Sequence, residues 1–300
     1  MSDTPRKSTF SIVAADLETG EVGCAVQSKY FSVGSVVPWA WAGVGAVATQ
    51  AAGIAVYGRL ALEELQRGAT PEAALETVLA DDPGRETRQL GVVTADGRAA
   101  AFTGKECLDW AGHRTGPGYA VQGNILAGQA VVDEMARAYT ETIGTLVERL
   151  VAALEAGQAA GGDKRGQQSA ALIVERAGGR AESREGIDRI CDLRVEDHPE
   201  PIVELRRLTG IWADWDAQRR AHEQYERGDP GAAADALGAV VAGNDSPMLL
   251  YNLACYESLA GRSEDAVAHL RRSIELDASY RSLAADDPDF DPIRAQLSEL

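Results

Sequence analysis

The sequence predicts an α+β domain followed by a small all-helical one, and three features carry that reading. Near the amino terminus FSIVAAD and EVGCAVQS are apolar runs of strand length, separated by the turn signal Leu17-Glu18-Thr19-Gly20. Further runs of this kind alternate with stretches of helical period that end at Gly or Pro. Beyond about residue 210 the strand signals stop and helix pairs take over. Charge shifts at the same place. Residues 211–300 hold 17 Asp and Glu against 8 Lys and Arg, net −9, whereas the preceding 210 residues hold 29 against 21, net −8. Domains are therefore expected over residues 1–210 and 211–300.

Taken in order, the opening pair reads as a hairpin with a four-residue connection. A third apolar run, GVGAVATQ, follows Pro38. Trp39 and Trp41 lie two apart and share one face of an extended chain, where they either line a pocket or pack beneath a helix. Tyr57 to Gly68 predicts a helix with Leu60, Leu62 and Leu65 along one side and Gly68 as its stop. Thr70-Pro71-Glu72 caps and starts the next helix, which runs to the turn Asp82-Pro83-Gly84. A second hairpin pairs Leu90–Val93 with Ala99–Phe102 around Ala95-Asp96-Gly97-Arg98. Tyr119 to Val121 is a short strand leading into Gly123-Asn124, ahead of a helix from about Ala127 to Tyr139. Another helix runs from Leu146 to about Ala156 and breaks at Gly157. SAALIVER and RICDLRV supply the last strands, and a helix begins at Ile202.

The helical tail carries a repeat. YNLACYESLAGRSEDAVAHLRRSIELDA has the residue types of a tetratricopeptide repeat, and AHEQYERGDPGAAADALGAVVAGND repeats the theme, with Gly228 answering Gly261 at a spacing of 33. Two such repeats are fewer than the three or so that stand alone. The two repeats are therefore expected to lean on the first domain or on a second subunit, in a homodimer or higher homo-oligomer, and the tail also offers a surface to a protein partner.

Several function classes are excluded. A formal charge of −17 opposes nucleic-acid binding, which depends on clustered Lys and Arg. No stretch approaches the roughly 20 apolar residues of a membrane span, and MSDTPRKSTF lacks a signal-peptide core, so a cytoplasmic location is expected. Cys24, Cys107, Cys191 and Cys255 are scattered without metal-ligand spacing and read as structural thiols. The Gly161-Gly162 stretch is followed by a strand and lacks a Gly-Lys-Ser/Thr ending, which disfavours a phosphate loop. His198, between acidic residues and Pro199, reads as a turn residue.

Chemistry concentrates in the first domain. Thr9 places a hydroxyl at the head of the first strand, with Ser28 and Lys29 at the far end of the hairpin. The blocks TFSIVAAD, GVGAVATQA, VQGN and GGDKRGQQSA, in that order over roughly residues 9–210, resemble the DUF1028 family of uncharacterised N-terminal-nucleophile (Ntn) hydrolase-like proteins. The resemblance implies an αββα four-layer sandwich and hydrolysis of a C–N bond, amide or cyclic amide, in a small-molecule substrate. An Ntn hydrolase attacks with a Ser, Thr or Cys side chain and uses the α-amine of the same residue as base. That amine, with a pKa of about 7.7–8.0, is partly unprotonated near neutral pH.

On this reading Thr9 is the nucleophile and Gly123 and Asn124 hold the oxyanion, although the same pair also suits a plain turn. Lys29, Asp163 and Ser169 tune the amine. Arg165 either holds a substrate carboxylate or pairs with Asp163. Ser28, Gln50, His113 and Gln168 are further pocket candidates. No metal or organic cofactor is implied. The chemistry requires Thr9 to be first in the mature chain, so MSDTPRKS must be removed by cleavage after Ser8. Two other readings stand beside it: a catalytically silent fold serving as a binding or scaffold module, and hydrolysis by Ser28 or His113 in the same cleft.

Overall fold

A computed structural model describes residues 9–178, 188–243 and 245–299. They fall into two compact units, Met1–Thr209 and Gly210–Leu300, the first mixed α+β with antiparallel sheets and the second helical. The eight residues before Thr9, including the expected cleavage point, lie outside the described residues.

In the first unit β1 (Thr9–Asp16) and β2 (Glu21–Ser28) form the expected hairpin, from Thr9 opposite Ser28 to Asp16 opposite Glu21. Gly20 closes the turn at φ +72°, a backbone region where a side chain would be strained. After β3 (Pro38–Trp41) and β4 (Gly45–Ala51) come helices α1 (Val56–Gln66) and α2 (Pro71–Leu79). Thr70 caps α2, accepting from the Ala73 amide. The second hairpin is β5 (Arg88–Thr94) with β6 (Ala99–Thr103). β7 (Gly112–Gly116) and β8 (Tyr119–Asn124) pair next, followed by α3 (Ala130–Glu141) and α4 (Leu146–Ala159). β9 (Ser169–Arg176) and β10 (Arg189–Val195) complete the strands.

One sheet has the order β10-β9-β2-β1-β8-β7 and the other β3-β4-β5-β6. They face each other across an apolar layer that includes Val13, Val22, Cys24, Val26, Ala46, Ala48, Val93 and Ala120. Helices α1 and α2 cover the outer face of the smaller sheet through Leu62, Leu65, Leu75 and Leu79. Helices α3 and α4 lie against the larger sheet, α4 upon β1, β2 and β9. Trp39 packs under α1, where Gly58 leaves no room for a Cβ beside the indole.

Three boundaries differ from the sequence reading. α3 starts at Ala130 rather than Ala127, because residues 125–127 are tied down outside the helix: the Leu126 amide donates to Trp110 O and the Ala127 amide to Gly162 O. α4 does not break at Gly157 but continues to Ala159. The glycine serves close packing there, since a Cβ would sit 2.6 Å from Met135 Cγ and 3.3 Å from Phe10 Cε2. β7 was unsignalled, its sequence GHRTG having neither apolar alternation nor β-branched residues apart from one Thr.

The last helix of the first unit is the start of α5 (Pro201–Glu226). The second unit continues with α6 (Pro230–Val241), α7 (Pro247–Leu259), α8 (Ser263–Leu276) and α9 (Ser279–Asp286). Its helices share two clusters, one around Ala221, Leu237 and Leu253, the other around Leu270, Phe290 and Ile293. Gly228 and Gly261 both end a helix in left-handed backbone, φ +85° and +77°. No described helix is long and apolar enough to cross a membrane.

The Gly157 contact gives a direct check. Gly157→Val should lower stability by about 1–3 kcal/mol in urea unfolding, because the α3–α4–β1 contact has no space for the added methyls. A neutral result would mean that α4 stands off the sheet.

Candidate functional site

At one end of the larger sheet, cross-strand pairing sets four polar residues in a row. Asn124 on β8 lies opposite Thr9 on β1, Thr9 opposite Ser28 on β2, and Ser28 opposite Ser169 on β9. Opposed residues share a face, and this face looks toward the second sheet. Thr9 is fully buried, and its Oγ1 donates to Ser28 Oγ at 3.1 Å.

Behind the row, the layer between the sheets is polar rather than apolar. Gln50 at the end of β4 reaches across it. Its Nε2 donates to Gln89 Oε1 (2.8 Å), Gln122 O (3.3 Å) and Thr9 O (3.4 Å), and its Oε1 accepts from Ser11 Oγ (2.7 Å). Gln122 Nε2 donates to Ser11 Oγ at 2.6 Å. Gln89 is the second hub. Its Nε2 serves Gly123 O (2.8 Å), Thr103 Oγ1 (3.0 Å) and Gly112 O (3.2 Å), while its Oε1 accepts Asn124 Nδ2 at 3.0 Å. Thr103 Oγ1, which accepts from Gln89, also shares a hydrogen bond with His113 Nδ1 at 2.9 Å. Burial first, and Arg114 second, hold the His113 imidazolium below its ordinary 6.5, so the ring is neutral at neutral pH.

Other residues singled out in the sequence take different places. Asp163 is buried, but it meets the backbone of Lys29: Oδ2 accepts the Lys29 amide (3.0 Å) and Oδ1 the Arg165 amide (2.8 Å). Arg165 Nη2 also reaches Oδ2, at 3.3 Å, so of the two roles open to it the ion pair is present. The Lys29 side chain is exposed and its Nζ donates to Gln167 O at 3.0 Å, away from Thr9. Ser169 Oγ is committed to Tyr30 O and the Val33 amide. Gln168 Nε2 bonds Asp197 at 3.0 Å near the surface. Gly123 contributes its carbonyl to Gln89, and Leu126 fills the space where its Cβ would lie.

Sequence reading missed Ser11, Gln89, Gln122 and Thr103. The available signal was a glutamine within each of three otherwise apolar strands, Gln50, Gln89 and Gln122, all fully buried.

A cavity of about 110 Å³ opens beside this network, lined by Ala51, Ala52, Thr87, Glu106, Cys107, Leu108, Asn124 and Ile125. Two of its walls use left-handed backbone on residues other than glycine, Ala51 at φ 64° and Ile125 at φ 53°. Such strain gathers at ligand and catalytic sites. Burial pushes the Cys107 thiol up to about 11, and it donates to Arg88 O, so it stays protonated and is a poor nucleophile. Among the described residues, the grouping of metal-ligand type is Cys255, Asp287 and Asp289 in the second unit, where Tyr251 already donates to Asp287 at 2.6 Å.

Comparison with known proteins agrees with the DUF1028 part of the resemblance drawn from the sequence. The model of a family of unknown function, DUF1028, matches residues 9–205. A crystal structure of a protein from Silicibacter pomeroyi, itself assigned to DUF1028, is similar at 35% identity and a TM-score of 0.62, over 69% of this chain and 93% of that one. No functionally curated protein matches.

Gln89 makes the network testable. Gln89→Leu removes one hydrogen-bond partner from each of the Gln50 amide, the Asn124 amide and the Gly123 carbonyl, a buried hydrogen bond being worth about 0.5–1.5 kcal/mol net. The expected loss is about 3 kcal/mol or more in urea unfolding, and a loss under about 1 kcal/mol would disprove the hub.

His113 supplies a pH test. Its folded pKa is lowered, so its contribution to stability is complete above pH 6.5 and declines as pH falls from 6.5 through the lowered value. The His113 ring should titrate below 6.5 by NMR, and His113→Asn should flatten that part of the stability profile. Titration at or above 6.5 would contradict the buried neutral ring.

Proposed function

The chain belongs to the DUF1028 family, and we propose that this member is an N-terminal-nucleophile amidohydrolase acting on a C–N bond, amide or cyclic amide, of a small molecule. The observation that carries the proposal is the position of Thr9. It is the first residue of a central strand, flanked by Ser28 and by Asn124, and Asn124 lines the adjacent cavity.

Removal of the eight residues before Thr9 frees its α-amine. The amine, at a pKa of about 7.7–8.0, takes the Thr9 hydroxyl proton as Oγ1 attacks the substrate carbonyl carbon. The side-chain amide of Asn124 and the backbone beside it stabilise the oxyanion. Collapse breaks the C–N bond, the leaving nitrogen takes the proton back from the ammonium, and an ester to Thr9 remains. Water, deprotonated by the same amine, then hydrolyses the ester. Ser28 orients the hydroxyl through the 3.1 Å bond. Asp163, holding the Lys29 and Arg165 amides, positions the end of β2 and does not act on substrate directly. Among the described residues no Lys or Arg lines the cavity and Glu106 does, so the group admitted there is neutral or cationic rather than a carboxylate. This departs from the expectation of an Arg165–carboxylate contact.

A second reading draws on a different observation. Thr9 is fully buried and its hydroxyl already donates to Ser28, which suits a silent fold acting as a binding module. The helical unit, with helix-ending glycines 33 residues apart, supports a tetratricopeptide-like partner surface in that case.

Intact-mass measurement on the purified chain separates the two. The hydrolase begins at Thr9, and Thr9→Ala lowers its amidase turnover by a factor on the order of 10³ or more. A chain that begins at Met1 or Ser2 and cleaves no amide belongs to the second reading, and full activity in Thr9→Ala would remove the nucleophile.

A further inference from the structure

A second cavity, of about 370 Å³, lies at the opposite end of β1, among the β1–β2 turn, the turn before β8, the end of α3 and the start of α4. β1 has eight residues, so the two ends stand about 23 Å apart. The volume falls within the range of about 300–1,000 Å³ typical of small-molecule sites. Neither the hydrolase reading nor its alternative uses this cavity.

Its lining combines three chemistries. The first is cationic and donor-rich. The Arg149 guanidinium lies over the Tyr139 ring, 4.2 Å from its centroid, and Nε donates to Tyr139 O at 3.3 Å. Nη1 stands 3.7 Å from Asp16 Oδ2, beyond hydrogen-bond distance. Tyr139 is 1% exposed, and its hydroxyl has no hydrogen-bond partner. An unmet buried hydroxyl costs free energy unless a ligand or solvent supplies the missing acceptor.

The second chemistry is anionic. Asp16 and Glu18 line the same cavity. Asp16 Oδ1 is taken by the Glu18 and Thr19 amides, while Oδ2 faces Arg149 across the 3.7 Å gap. The third is apolar. Ile143 is 100% exposed and Leu17 64% exposed, and both lie on the cavity wall. The Thr140 hydroxyl is engaged by the carbonyls of Ala136 and Arg137 and offers little to a ligand.

We infer that this cavity binds a free α-amino acid with an apolar side chain. Its carboxylate meets Arg149 and the Tyr139 hydroxyl, its ammonium meets Asp16 and Glu18, and its side chain covers Leu17 and Ile143. A simple anion suits the site less, because two carboxylates stand beside the guanidinium in a chain of net charge −17. A simple cation suits it less because of Arg149 itself. Only a ligand carrying both charges satisfies the two edges together, and burial keeps the Tyr139 phenol protonated, a donor for the carboxylate.

The test uses the full chain with isoleucine methyl groups labelled for NMR, so that Ile143 reports directly. L-leucine should shift the Ile143 methyl saturably. Leucinamide, lacking the carboxylate, and 4-methylpentanoate, lacking the ammonium, should each bind at least tenfold more weakly. Arg149→Gln should abolish the leucine response, and the exposed Glu18→Gln, which leaves the packing intact, should weaken it severalfold. Equal affinity for the three compounds, no shift with leucine, or an undiminished response in both variants would overturn the assignment. The readout does not depend on catalysis at Thr9, so it is separable from the fate of the hydrolase proposal.

Discussion

The structure of the first unit turns on buried amides that hydrogen-bond across two sheets. Over most of their facing area the sheets are joined by Val and Ala side chains, an attraction without direction. At the Thr9 end the same layer holds Ser11, Gln50, Gln89, Gln122 and Asn124, all buried. An unmet amide there costs about 1–3 kcal/mol, comparable to fully burying a large apolar side chain. Apolar contact tolerates small sliding, but cross-sheet hydrogen bonds at 2.7–3.0 Å, from Ser11 to Gln50, from Gln89 to Gly123 O and from Asn124 to Gln89, do not. A one-residue slip of a strand within either sheet would also turn its polar groups to the opposite face. The amides therefore fix the register that the apolar layer leaves free.

The placement of Thr9 follows from that register. Alternation along β1 sends Thr9, Ser11, Val13 and Ala15 toward the second sheet and Phe10 and Ile12 toward the helices. Pairing then brings Ser28 and Asn124 to either side of Thr9 without any requirement on the loops. The loops contribute backbone restraint: Asp163 ties the residue after β2 to the segment before β9, and Leu126 bridges to Asp163. Polar side chains of loops and strand ends thus act mostly through the backbone, which is why a carboxylate beside a lysine in space does not make an ion pair here.

Much of this was legible in the sequence where periodicity and chain chemistry coincide. β1, β2, β9 and β10 follow from apolar runs bounded by turn residues, and Thr70 and Gly20 act in their local roles. What escaped depends on contacts remote in sequence. Gly157 looks like a helix breaker until Met135 and Phe10 are placed against it. GHRTG becomes a strand through its pairing with β8. Lys29 follows Ser28, yet its side chain points to solvent because β2 ends there. Single glutamines in apolar strands carry no label of their own. Their meaning appears only when three of them, from different strands, meet in one layer.

The cavity beside Asn124 raises a question of energy, since left-handed backbone at Ala51 and Ile125 costs about 1–3 kcal/mol at each position. The restraint that offsets it at Ala51 sits outside the cavity. Arg88 donates Nη1 to the Ala52 carbonyl while Nε bonds Asp82 at 2.7 Å, so a salt bridge holds the peptide that follows the strained residue. Arg88 keeps the Asp82 carboxyl down at about 2, and because that folded value is lowered, the pair is complete above 3.8 and lost only as pH falls toward 2. On the other wall, the Ile125 amide donates to Leu108 O and its carbonyl accepts from the Lys164 amide. One wall is therefore clamped through a largely buried charge pair, and the other through backbone hydrogen bonds that tie residues 125–127 to Leu108, Trp110, Gly162 and Lys164.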